Sequence, residues 1–456
     1  MDTLRLLVLV VLPVLACTRE PPPDPDDSQA DPDADTDTVP PPTPRLLVTD
    51  LRNNGWFLGD ATTGERLSAF DLATVEPEFC LPDYETTYCL VYRSIFRQAL
   101  DGRPEVVFTY SRLDATDGSD AEIGDLYGLY LGVDAETQDI RWAFDQLDFS
   151  ELDTYDRCPY QPDDPCTPAD GLAPSAYRAC TLRMPHDQQV LTESADGLEL
   201  WVADTRNFRM LRLELDKAST CAVVREVISE HTHSDWDIYQ SVNSFQRWDD
   251  DVGEHLLMSV KGSISWGAGV EQHGGDSHGK ILMWRRPYGG DWAQVWEWPP
   301  ESTDEPSFVN TPHGVDHLTG PDGREWVLFA HSLGLSERWG NGTGGTVGVI
   351  AIEDDIPSYV ADLVPAGRVG FHWTRDVSAL DDGTILVTDS GCMSGNDCED
   401  APGVWTLSLE GIEPASNGQD GVWTQDRSRL WLQEAAVIRG PFFEDGRILY
   451  SANPVD

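Results

Sequence analysis

The chain has no Cys-x-x-Cys pair, no nucleotide-binding motif, no loop with the twelve-residue EF-hand spacing, and no helical periodicity that persists for a dozen residues. The first absence argues against a thiolate metal centre, the second against ATP or NAD as a cofactor, and the third against an EF-hand calcium site. The fourth leaves strands as the repeating element. Positive charge is scarce as well: 31 Lys and Arg stand against 80 Asp and Glu, a formal net charge of -49. Such a surface repels nucleic acid at long range. A small anion remains admissible wherever a few Arg and His converge.

The apolar run from Leu6 to Leu15 is too short for a permanent membrane helix. With Arg5 before it and Ala16 and Cys17 after it, residues 1–17 read as a lipoprotein signal peptide, with Cys17 acylated as the mature N-terminus. Residues 18–44 are Pro, Asp, Thr and little else, and are expected as a solvated, extended acidic tether. Thr18 rather than Asp follows the cysteine, which favours the outer membrane or surface of a bacterial cell envelope. Residues 45–456 are then the folded domain, and they still hold 71 acidic against 29 basic side chains.

With Cys17 assigned to lipid, eight cysteines remain, an even number in an exported chain. Proximity in sequence suggests pairing Cys80 with Cys89, Cys158 with Cys166, Cys180 with Cys221 and Cys392 with Cys398. Three of these loops lie in Pro/Asp/Gly-rich segments that look like insertions between strands, where each bond would contribute about 2 to 4 kcal/mol.

What is present is repetition. Six stretches combine apolar and polar residues in the same way: Ser94 to Arg97, Pro185 to Gln188, Tyr239 to Asn243, Pro312 to Asp316, His372 to Val377 and Val437 to Gly440. Most are followed by an acidic turn and a strand such as Leu198 to Asp204, Trp326 to Ala330, Thr384 to Asp389 or Arg447 to Ala452. This spacing predicts an all-β, six-bladed β-propeller, with seven blades as the alternative. The stretches Arg45 to Asp50, Gly55 to Gly59 and Arg66 to Phe70 lack an inner strand of their own, so the ring is expected to close by pairing N- and C-terminal strands. Trp142, Trp284, Trp296, Trp298, Trp405, Trp423 and Trp431 fall late in their repeats and are expected as core between blades. A closed ring offers no edge for pairing, so a monomer is expected.

In a propeller the first strand of each blade lines the central channel. The repeat starts therefore bring Arg97, His186, Asp187, Asn243, His313, Asp316, His372, Arg375, Asp376 and Arg439 towards one axis. Three His and up to three Arg there would make a cationic pocket inside an acidic shell, suited to sulfate, phosphate or carboxylate. His231 and His233 alternate as on one strand face and, with the loop His273 to His278, could ligate a metal. Loop histidines without a function are commoner, so no metal is assigned.

The segments Pro185 to Leu191 with Leu200 to Asp204, and Phe371 to Asp376 with Asp382 to Asp389, resemble the His-Asp and His-Trp blade motifs of arylsulfotransferase-like propellers. Thr311 to Asp316 fits more loosely, and Leu200 to Asp204 with Asn207 and Arg209 is similar to NHL-type blades. The resemblance implies a histidine that accepts a sulfuryl group from an aryl sulfate and passes it to a phenol, without a nucleotide cofactor. It makes His372 the candidate nucleophile, with His186, His313, Arg375 and Arg439 holding the anion. Arg375 and Asn243 depart from the pattern, standing where a histidine would be looked for. The rival expectation is a non-catalytic propeller that binds a protein or glycan through long, cross-linked loops.

Overall fold

The computed structural model describes residues 45–455 except 51–54, 62, 64, 73–87, 114–125, 153–157, 162, 173–178, 236–240, 262–278, 300–311, 321–322, 333–344, 366–370, 372, 381–383, 391–402, 409–429, 433–435 and 439–448. Six sheets of four or five strands follow one another along the chain, and their inner strands touch in a closed circle. The inner strands are Leu449–Val455 in blade one, Tyr88–Gln98 in two, Asp187–Glu193 in three, Ser241–Asp249 in four, Pro312–Thr319 in five and Thr374–Ala379 in six. The fold is a six-bladed β-propeller.

Blade one is the clasp. Its strands Arg45–Asp50, Gly55–Asp60 and Arg66–Asp71 come from the start of the domain, and Leu449–Val455 pairs antiparallel with the first of them. Thr49 and Ser451, 402 residues apart in sequence, hydrogen-bond through their hydroxyls at 2.8 Å. Closure thus uses one C-terminal strand rather than two. The stretch beginning at Val437, read from sequence as an inner strand, instead supplies Ala436–Ile438 as the outer strand of blade six. The chain completes blade six before returning to the axis, so residues 45–71 make up three strands of a shared blade and not a seventh.

Strand alternation explains the core. Along Arg45–Asp50, Leu46 and Val48 face blade six while Leu47 faces blade two; along Gly253–Lys261, Leu256 and Met258 face blade three while Leu257 faces blade five. The buried apolar side chains accordingly form six clusters, one at each junction between consecutive blades. Trp142, Trp284, Trp296, Trp298 and Trp405 are each buried in one of these wedges. Burying a side chain of this size stabilises the ring by about 2 to 3 kcal/mol. Trp423 lies outside the described residues.

Two extra strands tie neighbouring blades together. Gln146–Asp148 leaves blade two and joins the outer edge of blade three in parallel, and Leu430–Leu432 joins the outer edge of blade five the same way. Beside blade three, a small hairpin of Tyr160–Gln161 and Asp164–Pro168 is held by two disulfides. They are Cys158–Cys180, with Cα atoms 4.9 Å apart, and Cys166–Cys221, with Cα atoms 5.9 Å apart. This corrects the pairing expected from sequence proximity, Cys158 with Cys166 and Cys180 with Cys221. Cys166 is tied to the blade-three strand Cys221–Ile228, and Cys158, just before the hairpin, to Cys180 in the segment leading into that blade. Cys80, Cys392 and Cys398 lie outside the described residues, as do residues 1–44 with Cys17. Disulfides of this kind belong to an exported, oxidising setting. No described helix is long and apolar enough to cross a membrane.

Candidate functional site in the axial channel

Each blade contributes one large or polar side chain near the start of its inner strand, and a backbone irregularity aims it. The ladder between inner and second strand slips between Val91 and Ser94 in blade two, Val242 and Ser244 in four, Pro312 and Val315 in five, and Thr374 and Asp376 in six. In blade one it slips opposite Tyr450 and Ser451. A β-bulge leaves a residue out of the alternation and turns its side chain away from the sheet. The residues so released are Tyr450, Tyr92, Asn243, His313 and Arg375; in blade three His186 directly precedes the strand, its N–H bonded to the Ala203 carbonyl at 3.2 Å.

These six side chains are buried and come from successive blades around the axis. The Tyr92 ring lies 4.2 Å from that of His186 and 5.3 Å from that of Tyr450. His186 Nδ1 bonds Asn243 Oδ1, and Asn243 Nδ2 donates to the Pro312 carbonyl at 2.8 Å. Arg375 Nη1 lies 2.9 Å from His313 Nε2, and its guanidinium stands over the Trp373 ring at 5.2 Å from the centroid. A guanidinium only donates, so His313 Nε2 accepts and the imidazole is neutral. Its proton sits on Nδ1 and goes to Ser332 Oγ at 2.5 Å, while that hydroxyl donates to the Thr374 carbonyl. The expected cationic cluster of three His and three Arg is therefore different in kind: among these six residues the fixed charge is Arg375. Burial pushes its pKa down to about 10, against the opposing influence of Tyr450 and Tyr92. It stays charged at neutral pH.

One residue further along the inner strands of blades two, three and six, and three further in blade five, the chemistry inverts. Arg93 Nη1 donates to Asp187 Oδ2 at 2.9 Å, and its Nε is 3.9 Å from Asp376 Oδ2. Asp187 also accepts from Ser244 Oγ at 2.7 Å and the Phe245 N–H at 3.0 Å. Asp316 accepts from the Ala379 N–H at 2.6 Å and the His317 N–H at 2.9 Å. Burial raises Asp316 to about 6 and Asp376 to about 7, in both cases against the pull of Arg93. Burial also opposes the charge on Arg93, but Asp187, Asp376 and Asp316 together hold its pKa above the usual arginine value. Gly314 is required here: a Cβ on it would come within 2.1 Å of Asp376 Oδ1 and 2.7 Å of its Cα.

Asp187 and Asp316, read from sequence as candidates for the pocket, thus bond the backbone of the next blade. They belong to a circle of side-chain links between inner strands. Gln188 donates to the Arg93 carbonyl, Gln189 exchanges bonds with the Arg247 backbone, and Gln246 accepts from the His317 N–H. Ser378 meets Asn453, and Asn453 donates to the Ser94 carbonyl at 2.8 Å. Every blade junction is bridged in this way.

Of the sequence-predicted catalytic set, the structure brings His313 and Arg375 into contact and places His186 in the same ring, separated from them by Asn243. Arg97 is not in the ring; it pairs with Glu105 at 2.9 Å and with Glu193 towards the far end of its strand. Its strand starts earlier than the repeat suggested, so Tyr92 and Arg93 take the axial positions. His372 and Arg439 lie outside the described residues. The strand before residue 439 is an outer one, contrary to expectation. His233 packs edge-on against Trp284, with ring centroids 5.5 Å apart. Sequence reasoning passed over Tyr92, Tyr450, Arg93 and Ser332. A signal did exist: His186 to Gln189, Asn243 to Gln246, His313 to Asp316, Arg375 to Ser378 and Tyr450 to Asn453 share one spacing, a channel residue and a blade-bridging residue three positions on.

No protein-family model matches the sequence, and no curated protein matches it. Among solved structures the chain is similar to a Bacteroides caccae protein of unknown function, at 10% identity and a TM-score of 0.42, over 91% of this chain and 99% of that one. It is also similar to a hypothetical selenium-binding protein from Sulfolobus tokodaii, at 11% identity and a TM-score of 0.39, over 83% and 74%. A third likeness is to the dihydro-heme d1 dehydrogenase NirN, at 13% identity and a TM-score of 0.35, over 82% and 63%. Likenesses this distant leave function to the site itself.

Proposed function

We propose that the protein is a cell-envelope lipoprotein whose axial channel binds an anionic group at Arg375, His313 and His186, and that its reaction is sulfuryl transfer. The observation that carries the binding reading is the placement of Arg375: its guanidinium donates to a neutral imidazole nitrogen and stands over an indole face, in a ring of six residues none of which is acidic. A buried guanidinium attracts an anion far more strongly than an exposed one, because little water screens it. His186 donates through Nδ1 to Asn243 Oδ1, which puts the ring's lone pair on Nε2, whereas His313 Nε2 already accepts from Arg375.

For transfer, a neutral imidazole attacks the sulfur of an aryl sulfate, an N–S bond forms, and the S–O bond to the aryl group breaks with release of a phenolate. A phenol acceptor then reverses the roles, giving its proton to a base as its oxygen displaces the imidazole. Arg375 stabilises the charge on the sulfuryl oxygens in both steps. His372, one residue before Trp373 in the sequence, is the imidazole to which the attack is assigned.

The test is turnover of aryl sulfates with phenolic acceptors by the purified protein. Activity that His372→Ala abolishes and Arg375→Met lowers at least a hundredfold supports transfer. Absence of turnover over a broad donor and acceptor panel refutes transfer, and sulfate binding then decides whether the anion site stands alone.

A further inference from the structure

The backbone is gripped two residues before Arg375. The Trp373 N–H donates to Asp389 Oδ1 at 2.9 Å, and the Trp373 carbonyl accepts from the Ser390 N–H at 3.0 Å and from Ser390 Oγ at 3.2 Å. Asp389 ends the second strand of blade six, Thr384–Asp389, so both backbone polar groups of Trp373 are tied to one strand end. Trp373, Asp389 and Ser390 are all buried. The indole so fixed lies beneath the Arg375 guanidinium, 5.2 Å from its central carbon to the ring centroid, and 6.2 Å from the His313 ring. Ser332 Oγ holds the intervening Thr374 carbonyl.

Blade three repeats the grip. Its second strand, Gly197–Asp204, also ends in a buried aspartate. Asp204 Oδ1 accepts the Arg183 N–H at 2.7 Å, and the Arg206 N–H donates to the Arg183 carbonyl at 3.1 Å. Arg183 stands three residues before His186, as Trp373 stands two before Arg375. Two blades thus hold both backbone groups of one residue at the entry to the inner strand, and they are the blades that supply His186 and Arg375.

We infer that Asp389 and Ser390 are positioning residues for the anion site: they fix Trp373, and the indole face of Trp373 sets the plane of the Arg375 guanidinium. The inference rests on the anion-binding reading of the same channel. An arginine side chain is long and rotates freely, and a hydrogen bond to an imidazole does not by itself fix the plane of its fork. An aromatic face beneath the guanidinium removes that freedom and attracts the charge. The fork binds an anion only where its N–H groups point at it. A displaced indole therefore weakens binding although neither Asp389 nor Ser390 touches the ligand. Asp389 acts here as the acceptor of a backbone N–H, not as a charge opposed to the anion.

Calorimetric titration of the full chain with sodium sulfate, with the urea midpoint of each variant measured without sulfate, tests this. Asp389→Ala strands the Trp373 N–H and should weaken sulfate binding about tenfold. Asp389→Asn keeps an oxygen for that N–H and removes a negative charge, so it should bind sulfate at least as tightly as the wild type. Trp373→Leu takes away the aromatic face and should weaken binding about tenfold. Gln246→Ala, at a blade junction outside the ring of six, should lower the urea midpoint and leave sulfate affinity unchanged. Wild-type affinity in Asp389→Ala and Trp373→Leu, with binding lost in Arg375→Met, overturns the positioning role and leaves the anion site intact. Equal weakening in Asp389→Asn or in Gln246→Ala overturns it too, since charge or general loosening then accounts for the loss. If Asp389→Ala does not fold, Trp373→Leu and Asp389→Asn decide between the same outcomes. No binding by the wild type overturns the anion site and the positioning role together.

Discussion

The channel has two storeys built from neighbouring residues of the same six strands, and they solve the problem of buried polarity in opposite ways. In the lower storey Arg93, Asp187, Asp316 and Asp376 neutralise one another or bond the backbone of the next blade. In the upper storey Tyr92, His186, Asn243, His313, Arg375 and Tyr450 lean chiefly on one another, and the fixed charge is a guanidinium resting on a neutral imidazole. Polar residues at the head of a propeller strand therefore belong to two populations. Those bonded to backbone groups or to opposite charges hold the ring together, and those of the upper storey are the ones the anion-binding proposal assigns to a ligand.

The sharpest way to break this contrast is to remove one arginine from each storey. Arg93→Met leaves the buried carboxyl groups of Asp187 and Asp376 without their cation and should destabilise the fold by about 3 to 5 kcal/mol, read as a shifted urea midpoint. A loss below 1 kcal/mol would mean that the lower storey is not held by charge. Gln246→Ala should come next, at about 1 kcal/mol, because it removes a bond across the junction of blades four and five while the His317 N–H keeps Asp316 Oδ1. Arg375→Met should cost the fold less than Arg93→Met, since it strands no carboxylate of the lower storey, while anion binding disappears. If Arg375→Met unfolds the protein as readily as Arg93→Met, the two storeys are not different in kind.

The pH dependence sharpens the same comparison by a smaller amount. Asp316 and Asp376 have pKa values near 6 and 7 in the fold, above the usual aspartate value. The folded state therefore holds more protons than the unfolded chain between about pH 4 and 7. Their contribution is fully present at the acid end of that window and is lost as the pH rises through it. Asp376→Asn should flatten the fall in urea midpoint between pH 5 and 8. An unchanged slope would show that these carboxylates ionise normally.

The blade count, the shared closing blade and the interblade tryptophans could be read from sequence because each reflects a local signal. Period-two strands, acidic turns and an incomplete set of strands at both ends leave their marks on the chain itself. The register of blade two could not, because the bulge at Tyr92 and Arg93 makes a strand begin four or more residues before the repeat that flags it. The disulfide pairing failed for a related reason: Cys158 and Cys166 are near in sequence, but their hairpin faces blade three. The convergence of His313 and Arg375 was anticipated, whereas the neutrality of His313 follows only from the direction of its hydrogen bonds through Ser332. Residue type alone carries no such direction.

The most direct test is crystallographic: crystals of the full chain grown in selenate, a heavier tetrahedral stand-in for sulfate, examined at the selenium absorption edge. An anomalous peak on the channel axis, within hydrogen-bond reach of Arg375, is the predicted result. Peaks confined to surface arginines, with the axis empty of selenium, would contradict an anion site in the upper storey.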